Sequence, residues 1–300
     1  MRYRALPILL CCAPTLCGCT AGVLDPKGPV AAAEKLLLIN ATAIMLVVVV
    51  PVILATLAFA WWYRSSNPSA SRSADESYEG RLEFVLWSIP ALIVILLGGV
   101  IWIGSHQLDP RAPIAAKADP IRIDVVALDW KWLFIYPDEG IATVNQMVIP
   151  AGAPVQFRLT SATVMNSFFI PALAGQVYAM PGMETQLHAV LNRPGEFIGF
   201  SANYSGAGFS DMRFKFHGMS AEEFGRWVQS VKAGGRELSH DDYLQLEKPS
   251  EREPVRYYAT VAAGLYGSIV NGCVNGDNMC MMQTMAKTTA HRTETFDARP

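Results

Sequence analysis

Residues 120–136 read Pro120-Ile121-Arg122-Ile123-Asp124-Val125-Val126-Ala127-Leu128-Asp129-Trp130-Lys131-Trp132-Leu133-Phe134-Ile135-Tyr136. Ile121, Ile123 and Val125 alternate with Arg122 and Asp124. Trp130, Trp132, Phe134 and Tyr136 carry the alternation on. A period of two places alternate side chains on opposite faces of a pleated strand, so the stretch predicts β-structure with one face toward a core. Val155, Phe157 and Leu159 repeat the pattern after the turn Pro150-Ala151-Gly152-Ala153-Pro154. Thr185, Leu187 and Ala189 repeat it before Asn192-Arg193-Pro194-Gly195, and Met212, Phe214 and Phe216 close the series. Short alternating strands punctuated by Gly/Pro turns predict a sandwich or barrel. The span 120–217 suits one small β-domain.

Downstream, the period changes to that of a helix. Ser220 and Glu223 form a capping box, and Phe224, Trp227, Val228 and Val231 share one helical face that Gly234-Gly235 ends. Ser239 starts a second short helix that stops before Pro249, and Val255–Val270 reads as a third, making 218–270 a helical C-terminal region. Residues 271–300 are polar apart from their methionines and read as a flexible tail.

Upstream, two apolar runs dominate. Residues 36–63 would reach roughly 39 Å as a helix over their apolar part, enough to cross a bilayer with tilt. Pro51 is expected to kink this run, and Trp61, Trp62 and Tyr63 form an aromatic belt at its end. Residues 84–105 make a second span with Pro90 and Gly98-Gly99, small residues that permit close helix contact. Between the spans lies a polar loop, 64–83, and 106–119 links the second span to the β-domain. Arg2 and Arg4 precede a short apolar run ending Leu16-Cys17-Gly18-Cys19, which reads as an export signal, 1–18, with a bacterial lipobox and Cys19 as the lipid acceptor. Lipidation happens outside, so segment 19–35 and everything after residue 105 face the periplasm, with the loop 64–83 in the cytoplasm. Basic residues on both sides of the hairpin give the positive-inside rule little purchase. Glu83 stands at the cytoplasmic mouth of the second span. It reads either as a solvated end charge or as a proton acceptor, and its spacing alone favours the first.

The chain has 300 residues, 51% of them hydrophobic, with a net charge of −2 and a mean hydropathy of +0.24. Without a basic face, nucleic acid is excluded as a partner. Four of the six cysteines fall at residues 11–19. If Cys19 is acylated, Cys273 and Cys280 remain as a pair that an oxidising compartment can join, and sequence leaves that pairing open. His106, His188, His217, His240 and His291 form no cluster, and no Ser-His-Asp grouping, phosphate loop or dinucleotide fingerprint occurs. No catalytic centre is expected in this chain alone.

Several stretches together resemble one family. They are Leu24-Asp25-Pro26-Lys27-Gly28 after the lipobox, Asp129-Trp130-Lys131-Trp132 with Phe134-Ile135-Tyr136-Pro137, and Gly140-Ile141-Ala142-Thr143-Val144-Asn145. Val164-Met165-Asn166-Ser167-Phe168-Phe169-Ile170-Pro171 and Tyr204-Ser205-Gly206-Ala207-Gly208-Phe209-Ser210 complete the set. The chain resembles subunit II of the haem-copper terminal oxidases, in their ubiquinol-oxidase branch, over roughly residues 16–260. The resemblance implies a transmembrane helical hairpin carrying an all-β, cupredoxin-like sandwich with a helical C-terminal extension, in the bacterial inner membrane. It implies partner subunits I, III and IV, with haems and copper in subunit I, ubiquinol as the substrate of the complex, and no cofactor in this chain. The stretch Arg81-Leu82-Glu83-Phe84-Val85-Leu86-Trp87 matches the place where the family sets a carboxylate at a proton-channel entrance, which implies that role for Glu83.

The cytochrome c branch holds two copper ions in the outer domain with a His in a His-Ser-Phe-like stretch and a Cys-x-Glu-x-Cys-x3-His-x2-Met motif. Here the first His position is Asn166, the Cys positions are Ser201 and Ser205, the Glu position is Asn203 and the second His position is Phe209. Only Met212 is retained. Hydroxyls do not replace bridging thiolates, and Phe offers no lone pair, so no metal is expected. Trp130 and Trp132, electron relays in the copper branch, are expected to be core residues or subunit I contacts. A rival reading is an anchored copper carrier, with Met279, Cys280, Met281, Met282, Met285 and His291 as soft ligands. Two full membrane spans are more anchor than a carrier needs.

Overall fold

The computed structural model describes residues 22–70, 80–115 and 119–274. The expected signal 1–18, Cys19, most of the cytoplasmic loop and the Met-rich stretch to His291 lie outside these residues. The chain divides into two compact units, Ala33–Asp109 and Met1–Ala32 with Pro110–Pro300.

The helical unit is built on α1 (Pro29–Trp62) and α2 (Gly80–Gln107), both apolar and long enough to cross a membrane. The helix of α1 starts seven residues before the expected span, because Pro29 takes a first-turn position where its missing N–H is not needed. Pro51 and Pro90 lie inside these helices. Val47, Phe84 and Trp87 are each more than 70% exposed, which suits side chains meant for lipid rather than water. The close approach sits at Gly104, where an added Cβ would lie 2.7 Å from Leu37 Cδ1. Gly98 and Gly99, expected to serve that purpose, have nothing within 4 Å of such an atom.

The second unit is a two-sheet sandwich. Its strands are β1 (Ile121–Leu128), β2 (Lys131–Tyr136), β3 (Ile141–Val144), β4 (Gln146–Pro150), β5 (Pro154–Ser161), β6 (Asn166–Ile170), β7 (Ala174–Ala179), β8 (Thr185–Val190), β9 (Gly195–Ser201) and β10 (Arg213–Met219). The C-terminal extension adds α3 (Ala221–Lys232), β11 (Glu237–Leu238), α4 (His240–Glu247), β12 (Arg256–Tyr258), β13 (Thr260–Val261) and α5 (Leu265–Val270). One sheet runs β12-β3-β2-β1-β5-β8, the other β4-β10-β9-β6-β7, and β11 pairs with β13. Two pairings are parallel within the large sheets, β1 with β5 and β4 with β10.

The core lies between the sheets. Ile123, Val125, Ala127, Trp132, Phe134 and Tyr136 point inward and meet Phe157, Phe168, Phe214 and Phe216. Tyr136 keeps its hydroxyl satisfied in this apolar setting by donating to the Val148 carbonyl at 3.0 Å and accepting from the Val148 N–H at 2.9 Å. Burial pushes its phenol pKa above the ordinary range.

The opposite face of the first sheet is buried too. Val126, Leu128, Leu133, Ile135, Ala142 and Val144 form a second core with Leu238, Tyr243, Leu246, Tyr258, Leu265, Tyr266 and Ile269. On this face Asp124 is 2% exposed and receives both Nε and Nη2 of Arg158, its register partner on β5, at 2.6 and 2.7 Å. Burial raises the Asp124 pKa against the opposing pull of that guanidinium. The Arg158 guanidinium also lies 4.8 Å above the Tyr266 ring.

Two helices of the extension follow the sequence reading. Ser220 caps α3 with the reciprocal Glu223 contact, and Ser239 caps α4 through the Asp242 N–H. The third does not. Residues 256–261 form β12 and β13, and only Leu265–Val270 is helical, because β12 pairs with β3 through Arg256–Val144 and Tyr258–Ala142. Residues 271–274, expected within the flexible tail 271–300, belong to the folded unit, and the rest of that stretch lies outside the described residues. Asn271 caps α5, and Val274 packs on the second core.

Candidate functional site

The six positions expected to correspond to metal ligands converge at one end of the sandwich. Asn166 opens β6, Ser201 ends β9, and the loop from Asn203 to Met212 includes a 3-10 turn at Ala207–Asp211. The side chains of Asn166, Ser201, Asn203 and Ser205 hydrogen-bond within the set or to nearby backbone. Ser201 Oγ donates to Asn166 Oδ1 at 3.0 Å, and Asn166 Nδ2 donates to the Val164 carbonyl at 3.1 Å. Asn203 Nδ2 reaches the Met165 carbonyl at 3.2 Å, tying this loop to the start of β6. Ser205 Oγ lies 3.9 Å from Met212 Sδ. Asn166, Ser201 and Met212 are at most 3% exposed. Phe209 turns its ring edge to Tyr204 at 5.5 Å, and Tyr204 is 75% exposed.

Trp130 closes this cluster. It sits between β1 and β2 with φ +64°, a backbone region that bulky residues rarely occupy. The conformation aims the indole across the loop, where Nε1 donates to the Ser205 carbonyl at 3.0 Å. The ring rests on Gly206 and Gly208. A Cβ at Gly208 would lie 2.5 Å from Trp130 Cγ and Cδ2, so only glycine admits the indole there. The alternation had put Trp130 on a strand with Trp132, whereas it is the turn residue. Trp132 is in the core, edge-on to Phe168 at 5.4 Å and Phe214 at 5.8 Å.

The donors gathered here are hydroxyls, amides and one thioether. A soft or borderline ion selects thiolate and imidazole, so this set does not fit a dinuclear copper centre. Among the described residues no three His, Cys, Asp or Glu side chains group together. His188 Nδ1 faces the Pro110 carbonyl at 3.3 Å, and His217 faces Glu196 at 3.5 Å.

Glu83 lies in the first turn of α2 and is exposed. It belongs to the helical unit, and the ligand-position cluster belongs to the other.

Sequence reasoning missed a third feature. A cavity of about 520 Å³ between the first sheet and the extension is lined by Asp124, Arg158, Glu184 and Tyr266 among others. Only the pairing of β1 with β5, which sequence does not reveal, brings Asp124 to Arg158.

Residues 138–218 match the family described as the periplasmic domain of cytochrome c oxidase subunit II, and residues 232–277 match the aromatic-rich motif of the same oxidases. The second match covers the segment whose Tyr243, Tyr258 and Tyr266 bury the outer face of the first sheet. The chain is 51% identical over 256 residues to the cytochrome bo(3) ubiquinol oxidase subunit 2 of Pseudomonas putida, spanning 85% of this chain and 82% of that protein. It is 49% identical over 263 residues to the ubiquinol oxidase subunit 2 of Acetobacter aceti, covering 87% and 85%. Among solved structures, the periplasmic domain of Bradyrhizobium japonicum cytochrome oxidase subunit II matches with 24% identity and a TM-score of 0.38, over 40% of this chain and 99% of that one.

Proposed function

The chain belongs to the ubiquinol oxidase subunit II family of the haem-copper oxidases, and from that premise we propose that it is the non-redox subunit of a proton-pumping quinol oxidase. The observation that supports the reading is the cluster under Trp130, where Asn166, Ser201, Ser205 and Met212, positions that the resemblance sets against copper ligands, present an amide, two hydroxyls and one thioether. A copper centre in this domain would accept electrons from a soluble donor. Without one, ubiquinol delivers its electrons within the membrane, directly to the haems and copper of subunit I. This chain then stabilises and orients subunit I, beside subunits III and IV. Lipid on Cys19 holds the N-terminus to the periplasmic face of the inner membrane. One acyl chain binds only marginally, so α1 and α2 are the main anchor.

Glu83 serves as a proton acceptor at a channel entrance on the cytoplasmic side. Its place in the first turn of an apolar helix, where the span meets the polar loop, supports this, because boundary carboxylates serve proton relays. The test is oxygen uptake driven by ubiquinol in the detergent-purified complex. Glu83→Ala is expected to slow turnover on the order of tenfold, about 1.4 kcal/mol on the barrier, with the haem spectrum and subunit content retained. Unchanged uptake would remove the proton role. A chain that purifies without haem-bearing partners would remove the subunit reading.

A further inference from the structure

The cavity of about 520 Å³ between the first sheet and the extension has no task in the subunit reading. Its size is that of a small-molecule site. Ile135 and Pro137 on one side, with Val261, Leu265 and Val270 on the other, give it apolar walls, and Asp124, Arg158, Glu184 and Tyr266 bring polar groups to it. All of these residues belong to the outer unit.

Two of the polar groups are committed to each other. Arg158 gives Nε and Nη2 to the Asp124 carboxylate at 2.6 and 2.7 Å, so the pair offers a ligand no net charge. The other two have capacity left. Glu184 Oε2 lies 3.8 Å from Arg158 Nη1, outside hydrogen-bond reach, and Oε1 takes a long contact from Gln186 Nε2 at 3.4 Å. Tyr266 is 8% exposed, and its hydroxyl makes no hydrogen bond to a described residue, a costly state for a buried polar group. Burial, and then the charge of the neighbouring Glu184, raises the Tyr266 pKa, so the phenol keeps its proton at neutral pH and remains a donor.

We propose that this cavity binds a neutral small molecule carrying a hydroxyl on an apolar body, an alcohol or a phenol, between Tyr266 and Glu184. One hydroxyl serves both groups. Its oxygen accepts from the Tyr266 O–H, and its own O–H donates to the Glu184 carboxylate. The apolar walls take the rest of the molecule. Charge disfavours the alternatives. An anion would take on the repulsion of Glu184 and Asp124 to gain one guanidinium that already holds a carboxylate. An ammonium drawn to Glu184 would be set against Arg158, 3.8 Å from that same carboxylate.

The test is ligand-observed fluorine NMR on the full chain purified in detergent. The probe is para-fluorobenzyl alcohol, and para-fluorobenzylamine, para-fluorobenzoate and para-fluorotoluene are its cationic, anionic and hydroxyl-free counterparts. Line broadening that excess unlabelled benzyl alcohol reverses reports the cavity, because partition into the micelle is not competed. The alcohol is expected to show such broadening, with each counterpart binding more weakly. Tyr266→Phe keeps the ring under Arg158 and removes only the hydroxyl, and the expected loss of affinity is about threefold to tenfold, the worth of one hydrogen bond. Glu184→Ala, at a partly exposed position, is expected to weaken the alcohol likewise. Broadening that cannot be competed, equal affinity in Tyr266→Phe and the native chain, or tighter binding of any counterpart would overturn the proposal.

Discussion

Trp130 shows how much one backbone angle decides. Holding a tryptophan at φ +64° costs about 1–3 kcal/mol of backbone strain, offset by the Nε1 bond to Ser205 and the stacking on Gly206 and Gly208. Gly208→Ala drives a methyl into the indole, and the expected destabilisation is about 1–3 kcal/mol. It is measured as a lower urea midpoint, with the tryptophan emission of the native state altered. An unchanged midpoint would show that the indole has room to move. The resemblance, read as a spaced motif, singled out Ser201, Ser205 and Phe209 by residue type. The plug was not legible, because alternation counts side chains and does not register the sign of φ.

Among elements, the first sheet is the instructive one. Strict alternation in residues 120–136 correctly assigned Ile123, Val125, Trp132 and Phe134 to the core. It left Val126, Leu128, Leu133 and Ile135 without a destination. They are covered by the extension, and the match to the aromatic-rich motif falls on the covering segment. Residues 256–261 read as helix because β12 and β13 are too short to display a period, and their partners are distant in the chain. Lys131 joins the two layers. It is 1% exposed, and Nζ donates to the Lys248 carbonyl at 2.8 Å and Ser250 Oγ at 2.7 Å. Burial lowers its pKa below the ordinary 10.5, against the raising effect of Glu253. In the window between the lowered folded value and 10.5 the unfolded chain binds more protons, so this residue's contribution to stability rises with pH there. Lys131→Met is expected to flatten that rise. It also strands the Lys248 carbonyl and so costs about 1–3 kcal/mol at neutral pH. Thermal unfolding followed by near-ultraviolet circular dichroism across alkaline pH checks both, and an identical pH slope in the variant would contradict the assignment.

For the whole molecule, the order of parts was legible: two apolar runs of spanning length, then a sandwich, then a capped extension. Residues 22–32 were not assigned to the outer unit. Yet Lys27 donates its N–H to the Ala172 carbonyl, Asn192 donates to the Lys27 carbonyl, and a Cβ on Gly28 would strike the Val190 carbonyl at 2.3 Å. Leu24-Asp25-Pro26-Lys27-Gly28 is therefore an extra strap of the β-domain, and its composition carries no period that would announce a contact so distant in sequence. The donor set under Trp130, made of hydroxyls, amides and one thioether, does not fit a dinuclear copper centre. The decisive measurement is metal analysis of the full chain, purified in detergent after incubation with copper and removal of unbound ion. No stoichiometric copper and no thiolate-to-copper absorption are expected, and two copper ions per chain would overturn the reading.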